Sequence, residues 1–212
     1  MQLTAAIVAR NEADRYLARV IARCQTFADQ ILLLDDHSTD STPKLAKDMG
    51  CQVRSRSGDL LWGNESPARA ELWNWAHEEA GDGWVLICDA DQLLEGDPRP
   101  YCQSWDVNAW AFPLFDCWDS ETQFRADGYW QGYQYARPWL FCPSRIGRWE
   151  VESRALHAGH CPPNTQLVVG VADLHWLHLA YCDPGHRAEK RARYLAKRHL
   201  LNPHEIAHAE SI

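Results

Sequence analysis

The sequence predicts an α/β protein with a mostly parallel central sheet that is flanked by helices, and with a smaller mixed region in its second half. Three observations predict this class. Short apolar stretches alternate with helix-like stretches up to about residue 97, as is typical of parallel strands that are buried on both faces. Polar clusters follow three of these apolar stretches directly. From about residue 98, aromatic residues and prolines replace the regular alternation.

Four strands and three helices are predicted in the first half of the chain. The strands cover 3–9, 30–34, 51–55 and 84–88. One helix follows Glu12 and runs to about Cys24, and the other two cover 44–49 and 67–80. Proline near the start of a helix and glycine after its end are the usual boundary signals, and Pro43 and Gly50 provide them for the second helix.

The second half is predicted to contain strands within 110–115, 139–141 and 167–179, and a helix over 184–200 that Asn202 and Pro203 end. No stretch has the composition of a linker. We therefore expect a single domain over 1–212, made of a first half of about 1–97 and a second half of about 98–212 that includes the C-terminal helix.

Composition narrows the class of protein. Apolar residues make up 46% of the chain and charged residues 24%, a balance that is typical of soluble globular proteins. The net charge of −8 disfavours a general attraction to nucleic acid. The N-terminus lacks the pattern of a signal peptide and the apolar runs are too short to span a bilayer, so we expect a cytoplasmic protein. The eight cysteines are then expected to be free, with Cys24, Cys51 and Cys88 buried.

The 11 tryptophans are unusually many for 212 residues, and most lie between Trp105 and Trp176. Flat indole rings suit the apolar faces of sugars. The alternative is that they fill the hydrophobic core, and the count alone does not separate the two.

Asp89 and Asp91 are the sharpest chemical feature. They follow a fully apolar predicted strand, and residues i and i+2 of an extended segment point the same way. Two carboxylates at close range repel unless a cation lies near them, and Mg²⁺ or Mn²⁺ prefers such oxygen ligands and also binds phosphate. A solvated turn at the end of the strand is the alternative, since a bare D-x-D is common.

Four motifs, in this order and spacing, resemble the family-2 glycosyltransferases of the GT-A fold. They are TAAIVARNEADRYL, ILLLDDHSTDST, SPARAELWNWA and WVLICDADQLL. The resemblance covers residues 3–95 well and continues more weakly through LHWLHLAY and the basic helix that follows. It implies a GT-A, Rossmann-like fold with a nucleotide-sugar half and an acceptor half, and an enzyme that transfers a sugar from a nucleotide-diphosphate donor, with UDP-sugar expected, to a hydroxyl acceptor.

The resemblance also implies roles for individual residues. The loop of Ala9, Arg10, Asn11 and Glu12 would edge the nucleotide base, which Asp36 would hydrogen-bond. The helix residue Arg69 would lie near the diphosphate. In the D-x-D of Asp89, Ala90 and Asp91, Asp91 would bind Mn²⁺ or Mg²⁺ directly, and Asp89 would lie nearer the ribose or a metal-bound water. As alternatives from the residues alone, Asp36 would cap a helix and Arg69 would be an exposed helix charge.

His178 is the candidate for a third metal ligand, because the resemblance implies a late histidine in the metal shell. His175 and His178 are three positions apart, so only one of them faces the site if the strand is regular. A structural zinc site is the alternative. It would use some of the following side chains: His157, His160, Cys161, His175, His178 and Cys182.

An inverting transfer needs a general base that deprotonates the acceptor hydroxyl. The candidates are Glu150 and Glu152, which lie on the same face if their segment is extended, with Asp116 and Asp119 behind them. A solvated strand edge is the alternative for both glutamates.

The helix over 186–200 has a strongly cationic face. Such a face is usually solvated, but it could also contact an anionic acceptor, a lipid surface or DNA. The sequence does not name the acceptor, which could be a glycan, a lipid, a protein or a nucleic acid. Two other functions are compatible with parts of the pattern: nucleotidyl transfer, which usually needs a glycine-rich loop that the residues after Ala9 lack, and non-catalytic carbohydrate binding by tryptophans.

Overall fold

The computed structural model of the protein describes residues 1–57, 65–150, 159–163 and 165–212. The strands of the described residues are β1 (Leu3–Ala9), β2 (Gln30–Asp35), β3 (Gln52–Ser55), β4 (Trp84–Asp89), β5 (Gln92–Glu95), β6 (Ala109–Phe112), β7 (Leu114–Asp116), β8 (Arg137–Phe141), β9 (Val169–Val171) and β10 (His175–His178). The helices are α1 (Leu17–Cys24), α2 (Thr42–Asp48), α3 (Ser66–Ala80), α4 (Pro184–Ala196) and α5 (Pro203–Glu210). Short 3-10 turns cover Arg99–Gln103, Gly132–Gln134, Pro143–Arg145, Leu179–Tyr181 and Arg198–Leu200.

The predicted α/β class and the mostly parallel central sheet are confirmed. Seven strands form one sheet in the order β3-β2-β1-β4-β8-β6-β9. Strands β3, β2, β1 and β4 are all parallel, and β8 joins them antiparallel to both β4 and β6. The carboxyl ends of the first four strands therefore meet at one edge of the sheet, the place where open α/β sheets bind their ligands.

Helices cover both faces of this sheet, as buried parallel strands require. Every residue of β1 is buried. Its side chains at Leu3, Ala5, Ile7 and Ala9 join a core that includes α1, while Ala6 and Val8 join the core on the opposite face with α3. The unbroken apolar run of β1 therefore reflects a strand that has hydrophobic packing on both sides.

A second, three-stranded sheet has the order β5-β10-β7 and forms the smaller mixed region. Strand β10 is antiparallel to β5 and parallel to β7. The β7 pairing sets His178 opposite Asp116. Because β5 begins one residue after Asp91, this small sheet brings the end of β10 to the end of β4.

The structure corrects the sequence interpretation in three places. Strand β5, directly after the D-x-D, was not predicted. The helix expected over 184–200 ends as α4 at Ala196 and continues as a 3-10 turn. Asn202 does not end the helical region but starts α5, where its side chain accepts from the Glu205 backbone and the Glu205 side chain accepts from the Asn202 backbone.

Two further expectations concern burial and length. Cys24, Cys51 and Cys88 are buried free thiols, as predicted. Among the described residues, no helix is long and apolar enough to cross a lipid bilayer.

Candidate functional site at the carboxyl edge of the sheet

The loops after β1 and β2 are tied together at the carboxyl edge. Asn11, whose φ of 53° lies in the left-handed region, donates its backbone N–H to Ser38 Oγ at 2.9 Å. Its side-chain oxygen accepts from the backbone N–H of Thr39 at 2.8 Å. The backbone N–H of Glu12 donates to Thr42 Oγ1 at 2.8 Å. These hydrogen bonds satisfy backbone N–H groups that lie beyond the ends of the strands and so have no partner in the sheet. They also hold the two loops together as one surface.

Asp36 is the buried carboxylate of this surface, with a side chain that is 0% exposed. Arg10 Nη1 lies 3.8 Å from one of its oxygens and Arg56 Nη1 lies 3.4 Å from the other. We call Arg10, Asp36 and Arg56 the strand-end cluster. A buried carboxylate needs such partners, because burial without a counter-charge is costly. The helix-capping alternative for Asp36 is not what the structure has, since Asp36 faces two arginines.

Arg56 was missed by the sequence interpretation, although a signal was present. It directly follows β3, so it obeys the rule that placed Arg10, Asp36 and Asp89 at the same edge. Its Nε also lies 3.0 Å from the carboxylate of Glu71 on α3. The strand-end rule therefore applies to all four parallel strands.

Arg69 lies in the first turn of α3 with only 7% of its side chain exposed, and its Nη1 is 2.7 Å from Oδ1 of Asp89 in the D-x-D. The alternative of an exposed helix charge is therefore wrong. Burial opposes ionisation of Asp89, but the Arg69 guanidinium more than offsets it and lowers the pKa of Asp89. Arg69 thus holds Asp89 as a carboxylate.

Asp91 faces a different set of partners. Residues 90 and 91 form a turn between β4 and β5, so the argument from strand alternation does not describe them. The two aspartates are still close enough for the charge of Asp91 to oppose part of the lowering of the Asp89 pKa. Asp91 Oδ2 lies 3.5 Å from His178 Nε2, and Asp91 Oδ1 is buried with no hydrogen-bond partner in the described part of the chain.

His178 lies between two carboxylates. Its Nδ1 is 2.6 Å from Asp116 Oδ1, on the side opposite to Asp91. Burial opposes the charge on the imidazole, but Asp91 and Asp116 outweigh burial and raise the pKa of His178 to about 9. His175 points elsewhere and packs against Phe115 with ring centroids 5.2 Å apart. His178 is thus the histidine beside the D-x-D; its role as a metal ligand stays a prediction.

A small polar pocket of about 30 Å³ opens next to Asp91. We call it the α4 pocket and define it by the side chains that line it: Glu12, Arg15, Asp91, His186, Lys190 and Arg193. Burial and the nearby Asp91 raise the pKa of Glu12 to about 8. The side chain of Glu12 therefore borders the D-x-D and α4. The resemblance implied a different place for it, at the nucleotide base.

The candidates for the catalytic base are only partly described. Glu150 is exposed, and its neighbour Trp149 is fixed through its backbone N–H and C=O by the side chain of Asn74. Glu152 lies outside the described residues. Asp116 is engaged by His178, and Asp119 forms an ion pair of 2.6 Å with Arg187.

The zinc alternative finds no support in what the structure describes. Outside the gaps at 58–64, 151–158 and 164, no group of three or more His, Cys, Asp or Glu side chains is arranged to hold a metal ion by itself, and this finding includes Asp89, Asp91 and His178. His160 packs on Trp139 with centroids 4.3 Å apart, and burial together with Arg69 lowers its pKa to about 3. His157 lies outside the described residues.

Most described tryptophans belong to the core rather than to a sugar-binding surface. Trp73, Trp84, Trp130 and Trp176 are fully buried, whereas Trp105 is 77% exposed. The structure therefore favours the core interpretation of the tryptophan count.

A protein-family model matches the part of the chain that forms this edge of the sheet. Residues 4–98 match the model of glycosyl transferase family 2. The resemblance drawn from the motifs is confirmed for this region, which runs from β1 through β5 and contains Arg10, Asp36, Arg69, Asp89 and Asp91. The residues of the second half, including His178 and α4, lie outside the match.

Curated relatives share the same region. An uncharacterized glycosyltransferase of Rickettsia prowazekii is 33% identical over 88 residues, which is 42% of this chain and 27% of the relative. One of Rickettsia felis is 30% identical over 93 residues, which is 44% of this chain and 30% of the relative. The chain thus spans less than a third of the length of either relative.

Two solved structures have partial similarity to this chain. Glucosyl-3-phosphoglycerate synthase from Mycobacterium tuberculosis, in complex with Mn²⁺, UDP and glucosyl-3-phosphoglycerate, is 20% identical with a TM-score of 0.40 over 53% of this chain and 44% of that chain. TarS of S. aureus is 15% identical with a TM-score of 0.43 over 60% of this chain and 23% of that chain.

Proposed function

We propose that the chain is a glycosyltransferase that moves a sugar from a nucleotide-diphosphate donor, a UDP-sugar, to a hydroxyl acceptor with the help of a divalent metal ion. One observation carries the proposal: Asp89 and Asp91 lie at the carboxyl end of β4, inside a region that matches glycosyl transferase family 2, with Arg69 2.7 Å from Asp89. The matched family also favours sugar transfer over nucleotidyl transfer and over non-catalytic sugar binding.

The donor set suits Mn²⁺ or Mg²⁺. These ions take oxygen ligands and commonly bind through one or two carboxylates together with phosphate oxygens and water. Asp91 offers a buried Oδ1 that has no hydrogen-bond partner among the described residues, which is the kind of atom that a cation would satisfy. Asp91 and Asp89 would hold the ion, and His178 is the third candidate. When bound, the metal would supply charge stabilisation for the leaving diphosphate.

The nucleoside would occupy the strand-end cluster. Asp36 is buried between Arg10 and Arg56, and a carboxylate accepts hydrogen bonds from the N–H groups of a base. A base that binds Asp36 would have to displace an arginine, and Arg10, at 3.8 Å, is the more distant of the two. The tied loops after β1 and β2 would border it through Ala9, Arg10 and Asn11. On this arrangement the base and the diphosphate occupy two ends of one edge.

The acceptor would be activated from the second half of the chain. Glu150 or Glu152 would take the proton of the acceptor hydroxyl as its oxygen attacks the anomeric carbon from the side opposite to the diphosphate, which inverts the configuration. Asp116 and Asp119 are weaker candidates, because His178 and Arg187 already engage their carboxylates.

The decisive experiment is a thermal-shift titration with UDP and Mn²⁺. We expect UDP and Mn²⁺ together to raise the melting temperature, because a ligand that binds only the folded state stabilises it. Asp91→Asn should abolish the shift. The matched control is Asp82→Asn, which changes an exposed carboxylate just before β4, at the opposite end of the same strand. No shift in the unmodified protein with any nucleoside diphosphate, or an unchanged shift in Asp91→Asn, would reject the proposal.

A further inference from the structure

The cationic face of α4 is divided by burial. Arg187, Lys190 and Arg193 recur every three residues and are half-buried, whereas Arg191 is exposed. Residues three apart lie on the same side of a helix. The sequence predicts one basic helix. In the structure, Arg187, Lys190 and Arg193 form a half-buried row on this helix, and Arg191 lies on its exposed side.

Three contacts fix the direction in which this row of side chains points. The Asp183 side chain accepts from the backbone N–H of His186 at 2.8 Å and so caps the helix. Arg187 donates to the carbonyl oxygen of Tyr181 at 2.6 Å. From the other side, Arg15 in the segment after β1 forms an ion pair of 2.6 Å with Glu189. The α4 pocket is therefore a built site between two parts of the chain.

Lys190 is the central cation of the pocket. Its ammonium lies over the ring of Tyr181, 4.5 Å from the centroid; within the described residues it forms no direct ion pair with a carboxylate, although Asp91 is near enough to favour its charge. A ring face stabilises an ammonium less than a full counter-charge does. Lys190 thus brings a half-buried positive charge to a pocket that borders Asp91.

Basic side chains outnumber carboxylates in the lining of the pocket. Arg15, Lys190 and Arg193 line it together with His186, against the two carboxylates of Glu12 and Asp91. Arg15 already has Glu189 as a partner, and the Nδ1 of His186 is buried without a hydrogen-bond partner in the described part of the chain. Burial and the proximity of Arg15 lower the pKa of Arg193, and Glu12 and Asp91 offset only part of this effect. A bound anion would relieve this crowding of cations.

We propose that the α4 pocket binds a phosphoryl group through Lys190 and Arg193, without the need for a metal ion. Phosphate fits this pair because it is compact, carries up to two negative charges and offers three acceptor oxygens, which suit a lysine point charge and a planar guanidinium. The group belongs either to the diphosphate of the donor or to a phosphorylated acceptor, and both chemistries use the same side chains. The inference rests on the proposed function only for the choice between these two sources.

The test measures the binding of inorganic pyrophosphate by calorimetry in metal-free buffer. The unmodified protein should bind it, and Lys190→Gln should weaken binding about tenfold, as expected for the loss of one charge-assisted hydrogen bond. Arg191→Gln is the matched control: it removes the same charge from the exposed side of the same helix and should leave binding unchanged. Lys190→Arg keeps the charge and should restore most of the affinity, which separates loss of charge from loss of folding.

A second series identifies the source of the phosphoryl group. With UDP and Mn²⁺ at saturation, loss of pyrophosphate binding assigns the pocket to the donor diphosphate. Continued binding that still depends on Lys190 assigns it to a phosphorylated acceptor. Either result supports the inference.

The inference is overturned if the unmodified protein does not bind pyrophosphate, or if Lys190→Gln and Arg191→Gln bind it equally well. It is independent of the outcome for sugar transfer. A protein that binds pyrophosphate through Lys190 but no nucleoside diphosphate would reject the proposed function alone. Binding of UDP that Asp91→Asn abolishes and Lys190→Gln does not touch, with pyrophosphate binding equally unaffected, would reject the inference alone.

Discussion

Asp89 and Asp91 are two residues apart, yet different halves of the chain hold them. Asp89 is paired with Arg69 of α3 and belongs to an edge formed by four parallel strands. Asp91 is beside His178, which the small second sheet supplies, and borders α4. The first partnership joins elements near each other in sequence, and the second joins residues more than eighty positions apart. The contrast shows that the two aspartates of one motif can depend on partners at very different distances along the sequence.

Removing the partner of Asp89 should have the largest effect on folding. Arg69→Met keeps the apolar stem but leaves the half-buried Asp89 carboxylate without its counter-charge. Breaking a fully buried pair typically costs about 3–5 kcal/mol, and the partial exposure of Asp89 places the expected cost at the lower end of that range. Urea unfolding should therefore show a loss of about 3 kcal/mol. The control is Arg148→Met, which breaks an exposed pair with Glu78 and should cost roughly 0.5 kcal/mol or less. Equal, small losses in both variants would show that the Asp89 side depends little on Arg69.

The contact between Asp91 and His178 should make the free energy of unfolding depend on pH. The pKa of His178 is raised to about 9 in the folded protein, so its protonation stabilises the fold fully below about pH 6.5 and this contribution is lost as the pH rises to 9. In metal-free buffer the free energy of unfolding should fall by up to about 3 kcal/mol across that window, and His178→Gln should flatten the fall. His175→Gln is the control. A slope that His178→Gln leaves unchanged would contradict this assignment.

Loop coupling in the first half should give the smallest effect. Thr42→Val removes the hydroxyl that accepts from the Glu12 backbone N–H and keeps the buried volume. We expect a loss of about 1 kcal/mol, the usual contribution of one such hydrogen bond. Thr39→Val removes an exposed hydroxyl that donates to Asn11 Oδ1 over a longer distance of 3.3 Å, so it should cost less. A Thr42→Val protein as stable as the unmodified one would mean that the two loops are held together by other contacts.

The same division explains how much the sequence predicts. Asp36 and Asp89 were predicted because an apolar strand followed by a polar residue marks the carboxyl edge of a parallel sheet. Arg69, which lies on α3, was predicted only through the resemblance of its motif to the family-2 glycosyltransferases. The contact between His178 and Asp116 depends on the pairing of β10 with β7, and short strands separated by long stretches give no such local signal. The pattern also missed β5 and α5. It did not distinguish Lys190 from the other basic residues of its helix, because only the packing of α4 shows that Lys190 lines the pocket.

The anchoring of α4 beside Asp91 has a consequence for synthesis of the protein. Translation proceeds from the N-terminus, so Asp36, Arg69 and Asp89 emerge early and can assemble with β1 to β4. His178 and Lys190 follow Asp91 by 87 and 99 residues, and the α4 pocket closes only after they leave the ribosome. A nascent chain therefore contains the residues of the carboxyl edge before it contains the cations of α4, and any binding that needs both can begin only after α4 has been synthesised.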